Sequence, residues 1–368
     1  MTKPDDVGRT AGAGAGVGRG RGEAKRASGA GRASMAQVAA AAGVSGQTVS
    51  RVVNASPRVD PATRERVEKA MAELGYRPHR AARALRTGRS GVIGLVVTTL
   101  ASVGNSRMLQ AVVDLAAAHD YGVTVATVSA SGGLTAAFDR LHDQGVDGAV
   151  VLNEASALAG PGALPRDLPL VIVDAPPGTA AATVSSDHRG GARAAVAHLV
   201  ALGHREIAHL AGPDGSFAAA EREAGWREAL SEAGLGPGEL LRGDWSAESG
   251  YEADPPASAT AVFSANDQMA LGLIRSLAEH GRAVSGDVSV VGFDDVPESA
   301  NYRPPLTTVR QDFAALAARA VEALLARIAE PSAAPGAEPD TASDPAIVPA
   351  PLVERASAAA PRDTSTAI

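Results

Sequence analysis

The sequence predicts a small all-α head followed by a larger α/β body, and three observations carry that prediction. Charge is split along the chain. Residues 1–90 hold 17 Lys/Arg against 7 Asp/Glu, a balance of +10, so with a total of -7 the remainder carries -17. The hydrophobic texture also changes near Gly91, from short helical patterns to fully apolar runs that alternate with helical ones. Finally, polar residues gather just after those apolar runs: Thr98, Asp174, Asn266, Asp267, Asp294 and Asp295. A basic segment on an acidic body points to a polyanionic partner for the head alone, or to a basic solvated tail.

Residues 1–33 are rich in Gly, Ala and Arg and lack periodicity, so they read as a disordered tail or as the product of a start codon placed too far upstream. Helices are expected next. Ser34 and Gln37 form a capping box for "MAQVAAAAG", which Gly43 stops. Ser45 caps a second helix running to about Asn54. Asp60 and Pro61 open a third, "PATRERVEKAMAELG", whose Val67, Ala70, Met71 and Leu74 recur at helical spacing. Pro78 follows, and "HRAARALRTG" is a fourth, short helical candidate.

Beyond Gly91 the apolar run "VIGLVV" leads into a helical pattern at 107–119, then "VTVATV", a helix near 134–144, "GAVVL" and "LPLVIVD". A second series follows: helix 187–202, "IAHLAG", helix 221–233, "TAVFSAND", helix 268–280 and "VSVVGFDD". Strands apolar along their whole length belong to parallel sheets covered on both faces. Ligands of such sheets bind at the carboxyl ends of the strands, where the polar residues gather. Residues 331–345, "PSAAPGAEPDTASDP", read as an insert or loop, and "AIVPAPLVERAS" as a short strand.

The 368 residues suffice for two or three domains. The absence of cysteine excludes disulfides, thiolate metal sites and a cysteine nucleophile. No run approaches the roughly 18 apolar residues of a membrane helix. The first 33 residues carry seven Lys/Arg around "AGAGAGVGRGRGEAKR" and show no apolar signal core, so a cytoplasmic protein is expected. No phosphate loop, dinucleotide fingerprint or nucleophile elbow is present, and neither an enzyme nor a cofactor is expected. His188, His198, His204 and His209 share a region without metal-ligand spacing.

The stretch "GVSGQTVSRVVNASPRV" places Val49, Val52 and Val53 on one helix face and Gln47, Ser50, Arg51 and Asn54 on the other, with Gly46 at the start. With Val38, Ala39 and Ala42 of the preceding helix it makes a helix-turn-helix, whose second helix enters the major groove N-terminus first. Gln47 suits an adenine edge, and Arg51 forks onto guanine O6 and N7. Ser45, Thr48 and Ser50 suit phosphates, while Gly46 contributes little contact. A small helical domain with solvated Gln and Arg is the other reading.

The ordered combination "VAAAAGVSGQTVSRVVN", "VDPATRERVEKAMAELGYRP" and "ARALRTGR", continued through "SSDHRGGARAAVAHLVALGHREIAHLAGP", "GDWSAESGY", "ANDQMALG", "VSVVGFDD" and "PPLTTVRQDF", resembles the lactose-repressor (LacI-type) family of bacterial transcription regulators over about residues 34–357. The resemblance implies a DNA-binding head at 34–78, a hinge helix and linker at 79–90, a two-lobe body at 91–357 resembling periplasmic sugar-binding proteins, and a disordered tail at 358–368. It further implies a homodimer on a near-palindromic double-stranded operator, with His79, Ala82, Arg83 and Leu85 at the DNA. Leu85 would be the wedge between base steps. A packed core leucine is its plain alternative.

The same resemblance carries effector contacts onto Thr98, Met108, Asp174, Arg222, Trp245, Asn266, Asp294 and Phe313. The chemistry suits a sugar: carboxylates and an amide share hydroxyl bonds, an arginine donates several, and an aromatic stacks on the ring face. Each aspartate alone could instead cap a helix, and Trp245 could be core. Relatives bind many sugars and some bind purines, so the resemblance implies a small effector, most simply a sugar. Whether the effector releases the operator or strengthens its binding is a matter of linkage. Two departures stand out: "DPPASAT" leaves the helix before "AVFSAND" about one turn short, and the C-terminus lacks a leucine heptad, which implies a dimer. A sugar-binding module without a regulatory role is the alternative function.

Overall fold

The computed structural model describes residues 33–54, 56–76, 84, 88–128, 133–152, 155, 164–176, 178–179, 181–330 and 346–362. They fall into two compact units, Met1–His79 and Arg80–Ile368. The expected hinge residues His79, Ala82, Arg83 and Leu85 lie outside the described residues, as does the insert 331–345.

The first unit holds three helices, α1 (Met35–Ala42), α2 (Gly46–Val53) and α3 (Pro61–Glu73). The capping box is formed: Gln37 N donates to Ser34 Oγ, and Ser34 N donates to Gln37 Oε1. Gly43 ends α1 at φ +64°, a left-handed conformation that favours glycine. Val38, Ala39, Val49, Val52, Val67 and Ala70 close one core with Val59 and Tyr76. Met71 only packs at its edge, and Leu74, the C-cap of α3, is exposed.

The second unit is built from two six-stranded sheets. The first has the order β11-β5-β4-β3-β1-β2 and the second β12-β10-β9-β8-β6-β7. The first sheet's strands are β1 (Val92–Val97), β2 (Gly122–Thr127), β3 (Gly148–Leu152), β4 (Leu170–Val173), β5 (Ala182–Ser186) and β11 (Ala346–Val348), all paired in parallel. Alternation along β1 explains its unbroken apolarity. Ile93, Leu95 and Val97 pack against α4 (Val103–Ala118) and α10 (Phe313–Ala329), while Val96 packs against α5 (Gly133–Asp143).

The second sheet comprises β6 (Ile207–Ala211), β7 (Leu240–Arg242), β8 (Ala261–Ser264), β9 (Ser289–Asp294), β10 (Thr307–Arg310) and β12 (Leu352–Val353). Only β12 runs antiparallel. Helices α6 (His188–Ala201) and α7 (Phe217–Glu232) cover one face, and α9 (Asp267–Glu279) covers the other. The chain passes between the lobes after β5, after β10 and between β11 and β12.

Several elements differ from the expectations. Helix α7 begins four residues earlier than 221 because Ser216 Oγ accepts from Ala219 N and caps it there. β10 and α10 were not anticipated; α10 starts after the second sheet yet packs on the first. "AIVPAPLVERAS" splits into β11 and β12, one in each sheet. The described body runs to residue 362, five residues into the expected tail. His204 Nε2 and Ser289 Oγ bond the Ala359 carbonyl, and Arg362 pairs with Asp287. Helix α8 (Ala247–Glu252) lies against α9, where an added Cβ on Gly272 would collide with the Ala247 carbonyl. Arg282 pins the proline segment after α8 by donating to the Pro255 and Ala259 carbonyls at 3.1 and 2.9 Å.

His209 on β6 is fully buried, stacked on Phe263 and bonded at Nδ1 to the Phe263 carbonyl. Burial pushes its pKa down to about 3. The unfolded chain therefore takes up a proton below about pH 6.5 that the folded chain refuses, which costs about 1.4 kcal/mol per pH unit. Buried Asp267 has the opposite sign. Burial and nearby Asp294 raise it to about 7, so its contribution is present at low pH and lost as pH rises toward 7. The two contributions therefore run in opposite directions as pH falls below about 6.5. Urea unfolding of His209→Gln beside wild type separates them: the stability difference should change by about 1.4 kcal/mol per pH unit below 6.5. Parallel pH profiles would refute the buried neutral imidazole.

Candidate functional site

On α2, Ser45, Gly46, Gln47, Arg51 and Asn54 are exposed, Thr48 and Ser50 are half-buried, and Val49 and Val52 face inward. Sequence patterning and structure thus agree on which face is free. The polar residues divide by what they already bond. Ser45 Oγ accepts from Thr48 N and lies 3.0 Å from Thr48 Oγ1. Asn54 Nδ2 donates to the Ser50 carbonyl and to Ser50 Oγ. The side chains of Gln47 and Arg51 make no hydrogen bond or ion pair among the described residues. Two long donors on an exposed helix face, near an N-terminus that attracts phosphate, are what base-edge reading requires.

A cleft of about 500 Å³, counted with the space open to solvent, lies between the two lobes. Met108, Asp174, Arg222, Trp245, Asn266, Asp294 and Phe313, the residues onto which the resemblance carries effector contacts, all line it. Thr98 does not. The chain turns away after β1, and the first turns of α4 present Ser102 and Gly104 instead. Gly104 leaves open space there, its nearest neighbour across the gap being Phe313.

The floor of the cleft is a chain of buried polar side chains spanning both lobes. Asp174, after β4, accepts from Ser185 Oγ at 2.7 Å and Ser186 N at 3.3 Å. His188 Nε2 lies 2.9 Å from Asp174 Oδ1. Arg222 Nε and Nη2 each lie 3.3 Å from His188 Nδ1, and Nη1 donates to the Ala265 carbonyl. Its Nη2 stands 3.7 Å from Asp294 Oδ1. Gln311 Nε2 donates to that same oxygen at 2.7 Å, and Gln311 Oε1 accepts from Ser186 Oγ at 2.8 Å. First-lobe and second-lobe groups are joined by this path.

Burial by itself raises the pKa of Asp174, but His188, Ser185 and Arg222 more than offset it and hold the carboxyl below its ordinary value. At Asp294 burial prevails over Arg222 and Gln311, and the pKa is raised. The cleft therefore offers one firmly ionised carboxylate and one that protonates more readily. Arg222 is sandwiched above Phe293, 3.8 Å from the ring centroid, and 5.4 Å from that of Trp245, which fixes the guanidinium plane. Asn266 caps α9 through Met269 N and donates from Nδ2 to the Trp245 carbonyl at 3.0 Å.

Backbone strain concentrates here. Asp174, Trp245, Asp294 and Asp295 have positive φ, and among the described non-glycine residues only Asp120 joins them. Each such conformation costs on the order of 1–3 kcal/mol and persists where surroundings enforce it. The expected polar set also needs sorting. Asp267 sits beneath the cleft, accepting from Val296 N, Ser299 Oγ and Thr308 Oγ1, and Asp295 pairs with Arg310 and Arg355. Neither is a cleft residue. His188 and Gln311 were missed as site residues, although both adjoin segments that cross between lobes. Among the described residues no cluster of His, Asp or Glu could hold a metal, and no helix is long and apolar enough to cross a membrane.

A helix-turn-helix unit whose second helix exposes two unbonded polar side chains, together with a polar cleft between two parallel-sheet lobes, defines a ligand-responsive DNA-binding regulator of transcription. The chain belongs to the lacI family of bacterial regulatory proteins, whose profile matches residues 34–79, and a periplasmic binding protein-like domain matches residues 196–358. It is 39% identical over 340 residues to the lactose operon repressor of Escherichia coli (strain K12), covering 90% of this chain and 91% of that one. The crystal structure of the lac repressor dimer bound to operator and the anti-inducer ONPF is similar, with a TM-score of 0.76, 36% identity and coverage of 90% of this chain and 100% of that one. The complex of the transcriptional regulator CelR with cellobiose is similar at a TM-score of 0.59 and 31% identity, covering 89% and 100%.

Proposed function

We propose that this protein is a homodimeric repressor whose affinity for a near-palindromic operator is set by a saccharide bound in the interlobe cleft. The observation that carries the reading is the cleft floor. A guanidinium held above Phe293 and beside Trp245, with carboxylates of unequal basicity nearby, matches vicinal hydroxyls on one side and the apolar face of a sugar ring on the other. Arg222, Asp174, Asp294 and Asn266 hold the hydroxyls, while Trp245, Phe313 and Met108 form the apolar walls. Relatives crystallised with ONPF and with cellobiose support a saccharide.

On the DNA side, Gln47 and Arg51 read bases, and Ser45, Thr48, Ser50 and Asn54 contact the backbone. Gly46 allows close approach without reading, and His79, Ala82, Arg83 and Leu85 act at the minor groove. The protein works by binding, without catalysis, in the cytoplasm where its DNA lies. Effector and operator communicate by differing preference for the arrangement of the lobes.

The test selects an operator from a random duplex library and measures its affinity with galactose, lactose, ONPG, cellobiose or ribose present. A change of about tenfold or more with one sugar is expected. Tight, sequence-specific DNA binding indifferent to every sugar would defeat the saccharide assignment.

A further inference from the structure

Helix α10 has one end in the cleft and the other at the root of the linker. Its first residue, Phe313, and Leu316 line the cleft. The residue two before it is Gln311, which bonds Asp294 of the second lobe and Ser186 of the first. About 25 Å away, at 1.5 Å per residue, the helix ends beside Arg89. There Arg89 Nη2 donates to the Ile328 carbonyl at 2.5 Å, a contact between residues 239 apart in sequence. Ile328 lies in the last turn, where carbonyls have no partner within the helix and where a positive charge is favoured.

The linker root is held from a second side as well. Ser90 N and Oγ and Gly91 N all donate to the Asp147 carboxylate, at 2.7, 3.0 and 2.8 Å. Asp147 immediately precedes β3, and β3 begins with Gly148, whose absent Cβ lets Leu324 and Ile328 of α10 sit close on the strand. α10 buries Leu316, Ala317, Ala320, Val321, Leu324 and Ile328 along one face. A helix packed so closely moves as a unit, because interiors at this density do not deform continuously.

We propose that α10 is the rod through which the cleft acts on the linker, and that Arg89 is the positioning residue fastening the linker root to that rod. The inference rests on the saccharide-responsive reading above. A ligand that displaces Phe313 or re-pairs Gln311 shifts α10 as a body. The Arg89–Ile328 bond turns that shift into a pull on the segment leading to the head. Without the bond, ligand still enters the cleft, but less of its preference reaches the operator.

The experiment compares the full chain with Arg89→Ala and Arg89→Lys on the selected operator, using ONPG and cellobiose as probes. For each protein it reads the ratio of operator affinity without and with sugar, the sugar affinity of the DNA-free protein by tryptophan fluorescence, and the Tm. Arg89→Ala is expected to lower the ratio about fivefold, the size of a typical net hydrogen-bond contribution, with sugar affinity unchanged. Arg89→Lys, which keeps the charge and one donor, is expected to restore part of it. An unchanged ratio, whether or not the Tm falls, would overturn the role of Arg89. Should Arg89→Ala fail to fold, Arg89→Lys decides: a ratio equal to that of wild type overturns the proposal, and a lower ratio supports it. A wild-type ratio of one with both sugars, despite their binding, would overturn the underlying reading instead.

Discussion

Replacing Arg222 by alanine is expected to weaken saccharide binding by at least about 30-fold and to abolish the sugar's effect on operator affinity, while operator binding without sugar persists. The magnitude follows from removing a charged donor of hydrogen bonds to the ligand, each typically worth about 1.5–3 kcal/mol. Here the loss has two parts. The ligand loses its fork of donors, and Asp294 loses its nearby cation, so the carboxyl, already raised by burial, is raised further. The His188–Arg222–Asp294 chain, which Asp174 joins to the first lobe, is also cut. Arg222→Lys separates these effects. A lysine keeps a cation near Asp294 but not the planar fork or the stacking on Phe293, so it should preserve the fold better and still lose most sugar affinity. Binding isotherms for sugar and for operator on both variants check this. An unaltered sugar response in Arg222→Ala would remove the cleft from the account.

Arg51→Ala is expected to weaken specific operator binding by about 5- to 160-fold, equivalent to about 1–3 kcal/mol for one bidentate base contact, and to relax preference at one base position. Non-specific DNA binding should fall only slightly. The expectation rests on the exposure of Arg51 and on its having no partner within the described residues, so the side chain can fork onto a guanine without first breaking a bond. Ser50 and Asn54 on the same helix are bonded to each other and should matter less for base choice. Competition binding against a panel of single-base operator variants distinguishes the cases. Equal fractional losses on specific and non-specific duplex would place Arg51 on phosphate alone.

The head was legible in detail because its signals are local. The Ser34–Gln37 box, the Gly43 stop and the Asp60–Pro61 start each depend on residues within one turn of one another. The cleft was legible where strand ends bear polar groups or aromatics, as at Asp174, Asn266 and Asp294, because a parallel sheet aims those ends at one place. Thr98 obeys the same rule and yet misses the cleft, since the loop after β1 decides its direction and has no periodic signature. α10 shows a clear helical repeat at Leu316, Ala320, Leu324 and Ile328, but no local pattern tells that it returns to the first sheet. His188 and Gln311 escaped for a related reason. Their roles arise from Asp174, Ser186, Arg222 and Asp294 meeting across two lobes, a long-range product of topology.

The cleft and the DNA-reading helix are linked, in this account, by one coupling free energy, and linkage requires it to be the same from either direction. The direct measurement is a closed cycle on the wild-type full chain: operator affinity with and without a bound saccharide, and saccharide affinity with and without the selected operator. Both ratios are expected to depart from one, by about tenfold or more, and to agree with each other within error. A saccharide that binds the cleft equally well with and without operator, leaving operator affinity unchanged, would contradict that coupling.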